Sequence, residues 1–181
     1  MKVINTKIPE IKIIKPTLFE DDRGFFFESF NHKMFEDAIG YKVNFVQDNH
    51  SMSYKGIIRG LHYQTKPYVQ RKLVRVIKGK IFDVAVDIRK FSSTFGQWVS
   101  AILSSENKNQ LWIPDGFAHG FLSLSNKTEV LYKTDNYYKS SAECSMLWND
   151  KDIGIEWPLT KDLVLSHKDS NAKPLNKATL F

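Results

Sequence analysis

Cysteine is almost missing from this chain of 181 residues: Cys144 is the only one. A single thiol forms no internal disulfide and cannot build a cysteine-rich zinc site. A reducing, cytoplasmic setting is therefore expected. Long apolar runs are missing too. No stretch approaches the ~20 residues of a membrane-spanning helix, and Met1 to Lys7 lacks the apolar segment of a secretory signal. Neither G-x-G-x-x-G nor G-x-x-x-x-G-K-[ST] occurs, so any nucleotide is held without those phosphate loops. The absence of strand–helix alternation argues against a parallel nucleotide-binding sheet. The G-x-S-x-G elbow of serine hydrolases is absent as well.

What remains is ordinary globular material, 42% hydrophobic and 25% charged, which excludes wholesale disorder. The length fits one domain, residues 1–181, able to bury a core without staples. The tail from about Lys161 is more polar and is expected to run over the surface. The net charge of +6 suggests an anionic partner or a solvated basic surface. Its densest group, Arg71, Lys72, Arg75, Lys78 and Lys80, is interrupted by apolar residues. A nucleic-acid arm would show a continuous run, so neither nucleic acid nor membrane is expected as a partner.

Local patterns are mostly β. Runs at Lys72–Ile77 and Lys80–Ile88, separated by Lys78-Gly79, predict a hairpin. In the second run Phe82, Val84, Val86 and Ile88 share one face, and Asp83, Ala85, Asp87 and Arg89 share the other. Further strands are predicted at Gly24–Phe30, Asn44–Ser51, Gly56–Gln64, Trp98–Leu103, Leu111–Pro114, Gly120–Ser125, Glu129–Thr134 and Cys144–Trp148. One short helix is predicted, with Asn31 as its cap, Met34, Phe35, Ala38 and Ile39 at helical spacing, and Gly40 as its stop. Many short strands predict an antiparallel sandwich or barrel.

Four places could carry chemistry. In Arg59-Gly60-Leu61-His62-Tyr63-Gln64, a glycine inside a strand marks a bulge or a close backbone approach. His62 could move a proton near neutral pH, and Arg59 could fork onto a phosphate; a plain strand histidine is the competing reading. His119 leaves the turn at Pro114-Asp115-Gly116. Two histidines raise the question of metal, but where metal-binding cupins carry the second member of a His-x-His pair this chain has Gln64, which argues against a closed site. Tyr132 could donate a proton and Tyr138 could stack on a base, although tyrosines also pack in strands. Lys72 could stabilise an enolate or a phosphate oxygen, and Asp169 could orient a histidine.

Several motifs, in order, carry a resemblance: Asp22-Arg23-Gly24-Phe25-Phe26, Gln47-Asp48-Asn49-His50-Ser51, Gly56 to Gln64, Gln70 to Val74, Gly116 to Phe121, Tyr132 to Tyr138, Trp148-Asn149-Asp150 and Ser166 to Asp169. From about Phe19 to Asp169 the chain resembles the dTDP-4-dehydrorhamnose 3,5-epimerases, cupin-type sugar-nucleotide epimerases. The resemblance implies a mainly β, antiparallel cupin or jelly-roll sandwich with a short N-terminal helix and few others. It implies no cofactor and no metal. It makes His62 the base, Asp169 its partner, Lys72 the group that steadies the enolate oxygen, and Tyr132 the acid. Tyr138 would stack near thymine. Arg23, Glu28, Gln47, Asp48, Asn49, Arg59, His119, Glu143 and Lys168 would contact the nucleotide and its phosphates. A homodimer exchanging N-terminal segments is implied, so Arg23 and Glu28 would serve the partner's site. Ser140 and His167 depart from the family's usual proline and glutamate. Three activities stay open: epimerisation at carbons 3 and 5 or at one of them, non-catalytic binding of a dTDP-linked 4-keto-6-deoxy sugar, and metal-dependent cupin catalysis.

Overall fold

Alternating apolar runs become the strands of two facing antiparallel sheets. The structure, a computed structural model, describes residues 1–159 and 161–181. In chain order the strands are β1 (Lys2–Asn5), β2 (Lys12–Lys15), β3 (Phe19–Asp21), β4 (Gly24–Phe26), β5 (Gln47–Ser53), β6 (Ile58–Gln64), β7 (Lys72–Lys78), β8 (Lys80–Asp87), β9 (Trp98–Ser104), β10 (Gln110–Ile113), β11 (Phe117–Ser123), β12 (Thr128–Thr134) and β13 (Glu143–Ser145). One sheet runs β1-β2-β10-β7-β12-β5 and the other β13-β6-β11-β8-β9, while β3 and β4 form a separate hairpin. The fold is thus mainly β, as the sequence leads one to expect. Its helices are α1 (His32–Ile39), α2 (His167–Ser170) and two short 3-10 turns. None of the described helices is long and apolar enough to cross a membrane.

Three apolar layers hold the sheets. Between them lie Val74, Val76, Ile81, Leu111, Phe117, Phe121 and Val130. Behind the five-stranded sheet, Leu61, Val84, Val86 and Leu122 pack with Trp157 and Leu175. Behind the six-stranded sheet, α1 presses Phe35 and Ile39 onto Leu73 and Trp112. Fully burying a side chain like Phe35 contributes about 1.5–3 kcal/mol. The helix starts and stops where the sequence predicts. Asn31 Oδ1 accepts from the Met34 amide at 3.2 Å, and Gly40, at φ +85°, donates its N–H to Glu36.

Three expectations need correction. Lys78-Gly79 is no hairpin: β7 and β8 enter different sheets, so the dipeptide is a corner between layers. Both runs are buried on both faces and need neighbours that a two-stranded ribbon cannot supply. The tail does not simply cross the surface either. Tyr63 Oη donates to the Thr179 carbonyl at 2.8 Å, the Phe181 amide bonds Ile88, and Leu175 is buried. That tail covers the apolar face of β8, which turns Asp83 and Ala85 toward the space between the sheets. Finally, the N-terminal segment, read without strands before Gly24, forms β1, β2 and β3, and the run predicted through Phe30 ends as a strand at Phe26.

Candidate active site

The site begins with an irregularity in β6. His62 lies opposite His119 of β11, and Arg59 lies opposite Phe121. Two steps on β11 therefore span three on β6, which is a β-bulge. On a regular strand Arg59 and His62, three residues apart, would face opposite sides. The extra residue brings both into the space between the sheets, where both line one cleft. Gly60 makes this possible. Its φ is +122°, and a Cβ there would lie 2.5 Å from the Gly120 Cα.

The cleft is open, with a volume of about 440 Å³. Small-molecule sites commonly span ~300–1,000 Å³. His62 and His119 enter it from the five-stranded sheet, Lys72 and Tyr132 from the six-stranded sheet, and Asp169 from α2. That helix is one turn long. Ser166 caps it by accepting from the Asp169 amide at 3.1 Å, which fixes the carboxylate at the cleft. His62 Nε2–H donates to Asp169 Oδ1 at 2.5 Å. The other ring nitrogen, Nδ1, then holds the lone pair, as a base requires. Burial alone would raise the Asp169 carboxyl. The bond from His62, with further hydrogen bonds from Ser166 and the Gly60 amide, outweighs burial and holds it below the usual carboxylate range.

Lys72 is buried, and its Nζ donates to the His62 carbonyl at 3.3 Å. Burial pushes its ammonium down to about 8, against the pull of Asp83 and Glu143. Tyr132 is shifted the other way: burial raises its hydroxyl, and the nearby Arg59 cation opposes the rise. A neutral phenol inside the cleft is thus available as a proton donor. Arg59 Nε donates to Ser53 Oγ at 2.9 Å, and a terminal nitrogen donates to the Met52 carbonyl at 3.1 Å. The guanidinium is thereby tethered to β5.

Most of the remaining predicted contacts gather at the mouth. Glu143 accepts from Lys168 at 2.6 Å and from Tyr138 Oη at 3.0 Å. Gln47 accepts from the Tyr138 amide at 3.1 Å and donates to Asn49 at 2.9 Å. Asn49 lies opposite Tyr132. Three predicted contacts are not brought in. Asp48 falls between Gln47 and Asn49 on β5, faces outward and pairs with Lys133 at 3.0 Å. Arg23 stands on the β3–β4 hairpin, 89% exposed, paired with Asp21. Glu28 bonds Asn31 beside a different cleft.

Gln64, the residue in place of a metal-binding histidine, is spent on structure. It donates to the Tyr68 and Tyr137 carbonyls and accepts from the Lys139 amide. Among the described residues no three His, Cys, Asp or Glu side chains gather as metal ligands. Two residues of the site escape the sequence reading as site residues. Ser166, the cap under Asp169, is legible in hindsight as the first residue of a Ser-x-x-Asp pattern. Asp83, which accepts from His119 Nε2 at 2.7 Å, stands in an apolar run with no motif around it.

Known proteins resemble this chain in sequence and fold over nearly its whole length. The sequence model of the family described as dTDP-4-dehydrorhamnose 3,5-epimerase matches residues 5–177. The Shigella flexneri protein of that name is 59% identical over 181 residues, covering 100% of this chain and 99% of the relative. A Legionella pneumophila Philadelphia 1 epimerase solved with dTDP-4-keto-L-rhamnose superposes with a TM-score of 0.95. It is 53% identical, over 97% of this chain and 93% of that one. The Bacillus anthracis enzyme solved with TDP and pyrophosphate gives 0.92 at 49% identity, over 96% and 98%. With this fold and this cleft, the chain belongs to the dTDP-4-dehydrorhamnose 3,5-epimerase family.

Proposed function

We propose that this chain is an isomerase that converts dTDP-4-dehydro-6-deoxy-D-glucose to dTDP-4-dehydro-L-rhamnose by inverting carbons 3 and 5. The observation that carries the mechanism is the placement of His62 and Tyr132 on facing sheets. A sugar between them meets a base on one face and an acid on the other, and inversion requires that arrangement. The 4-keto group acidifies the hydrogens on carbons 3 and 5. His62, held by Asp169, removes one, and the electron pair moves onto the keto oxygen. Lys72, as an ammonium, stabilises that enolate. Tyr132 then delivers a proton from the opposite face. The scheme calls for no redox cofactor and no metal ion.

Arg59 binds the diphosphate, with Lys168 at the mouth supplying further positive charge. Tyr138 stacks on thymine, and Gln47, Asn49 and Glu143 line the nucleotide's path. The active form is a cytoplasmic homodimer in which the N-terminal hairpin crosses over, placing Arg23 and Glu28 in the partner's cleft. Its product is a precursor for polysaccharide synthesis.

Solvent deuterium exchange tests this reading. With the 4-keto-6-deoxyglucose nucleotide, label and inversion are expected at both carbons, read by proton NMR. Label at one carbon would make it a single-centre epimerase, and label at neither would make it a binding protein. His62→Asn is expected to abolish exchange while leaving nucleotide affinity nearly intact. Exchange near the wild-type rate in that variant would remove His62 as the base.

A further inference from the structure

Behind the reacting groups lies a carboxylate that the mechanism has not used. Asp83 is wholly buried on β8 and faces the space between the sheets. Its Oδ1 accepts from His119 Nε2 at 2.7 Å. Its Oδ2 is buried and has no hydrogen-bond partner. A buried, half-satisfied carboxylate is costly unless a charge or a ligand answers it. No direct bond answers it; the buried ammonium of Lys72 acts on it through space. That ammonium has three hydrogens, and the one bond it makes goes to the His62 carbonyl.

We infer that Asp83 is a positioning residue for this reaction: it keeps Lys72 cationic and fixes His119 as a hydrogen-bond acceptor toward the sugar.

The charged and titratable groups around Lys72 single out Asp83. His62 from β6, His119 from β11 and Tyr132 from β12 line the same cleft. Lys168 from α2 is a like charge that works against the ammonium. Asp169 is committed to His62, and Glu143 of β13 to Lys168 and Tyr138. Asp83 alone among these carboxylates keeps a free, buried oxygen. Burial lowers the Lys72 ammonium, and Asp83 is the largest of the influences raising it again.

The same carboxylate decides what His119 can do. Burial lowers the imidazole below its ordinary value, so the ring is neutral near pH 7. A neutral ring that donates from Nε2 has only the acceptor Nδ1 left. Its ligand must therefore be a donor, a sugar hydroxyl, and not a phosphate oxygen. This revises the sequence-based expectation that grouped His119 with the phosphate contacts.

The inference rests on the epimerase reading, in which Lys72 carries charge during turnover, and Asp83→Asn tests it. Asparagine keeps an acceptor for His119 and removes the charge. The alkaline limb of the kcat profile is expected to move to lower pH. A kcat loss of roughly tenfold is expected at mildly alkaline pH, the size of one pKa unit. Rate should return on the acid side, and KM for the nucleotide sugar should change little. In a Lys72→Arg background, where the cation cannot lose its proton, Asp83→Asn should leave the alkaline limb in place. A wild-type limb in Asp83→Asn, or a kcat lowered equally at all pH values, would overturn the proposal. One arm needs no variant of Asp83: ¹⁵N NMR of the histidine-labelled wild type, with His119 assigned through His119→Gln, should show a neutral ring protonated on Nε2. A proton on Nδ1, or an imidazolium, would overturn the role given to His119. Lys72→Met separates the two levels, because a wild-type rate there would defeat the mechanism itself and not merely the part played by Asp83.

Discussion

In the proposed mechanism two residues divide the chemistry, and a single atom separates them experimentally. Tyr132→Phe keeps the ring and its packing and deletes the hydroxyl. His62 and Asp169 remain paired, so proton removal should survive, whereas delivery from the facing sheet should fail. The histidine proton exchanges with solvent and returns to the same face. Deuterium is therefore expected to enter at carbon 3 or 5 with inversion slowed ~10²–10⁴-fold, the usual weight of a general acid. A variant that inverts at the wild-type rate would move the acid role to Tyr138 or a water. No exchange at all would mean that Tyr132 orients the sugar before chemistry begins. At this scale the sequence was legible through the order of its motifs and not through local pattern. His62 and Asp169 are 107 positions apart, and no spacing rule joins them. Asp83 stayed hidden for a related reason: an aspartate in an apolar strand reads as a solvent-facing residue until the tail is known to cover the other face.

The element that makes the site is the bulge in β6, and the sequence announced it with a glycine inside a strand. Gly60→Ala confronts two obstacles together. At φ +122° an L side chain is strained by about 1–3 kcal/mol, and its Cβ would run into the Gly120 backbone. Relief by a register slip would send Arg59 and His62 to opposite faces. Thermal melts should show a loss of at least ~2 kcal/mol, with turnover nearly abolished in whatever folds. A stable, fully active variant would refute the account of the bulge. Other elements were legible in proportion to their length. β7, β8, β11 and β12 each run for seven or eight residues with few side chains exposed. β1 to β3 have three or four residues each and mostly exposed side chains, so they show little periodicity. The corner at Lys78-Gly79 misled because a glycine between two strand runs serves a sheet switch as well as a hairpin, and only the pairing partners, distant in sequence, tell them apart.

Taken as a molecule, the chain leaves unfinished business at its N-terminus. The β3–β4 hairpin exposes Phe19, Phe25 and Phe26 by more than half, and it carries Arg23 away from the cleft that the family resemblance assigns it to. Exposed aromatics on a projecting hairpin suit burial in a second copy, and an exchanged segment is a low-cost route to a dimer. The +6 charge fits the same picture, since each completed cleft must draw in a diphosphate. Mixing two inactive variants tests the exchange directly. One chain carries Arg23→Glu and the other His62→Asn, and the two are unfolded and refolded together. If hairpins cross over, every mixed dimer holds one cleft with both its own His62 and its partner's Arg23 intact, and one cleft defective in both. Random pairing then restores about a quarter of all clefts. Activity near that fraction of wild type is expected, appearing only after refolding and rising with the fraction of mixed dimers seen by native mass spectrometry. Mixed dimers that form and stay inactive would mean that each hairpin serves its own chain. A mixture that remains monomeric would remove the dimer, and with it the place of Arg23 and Glu28 in the site.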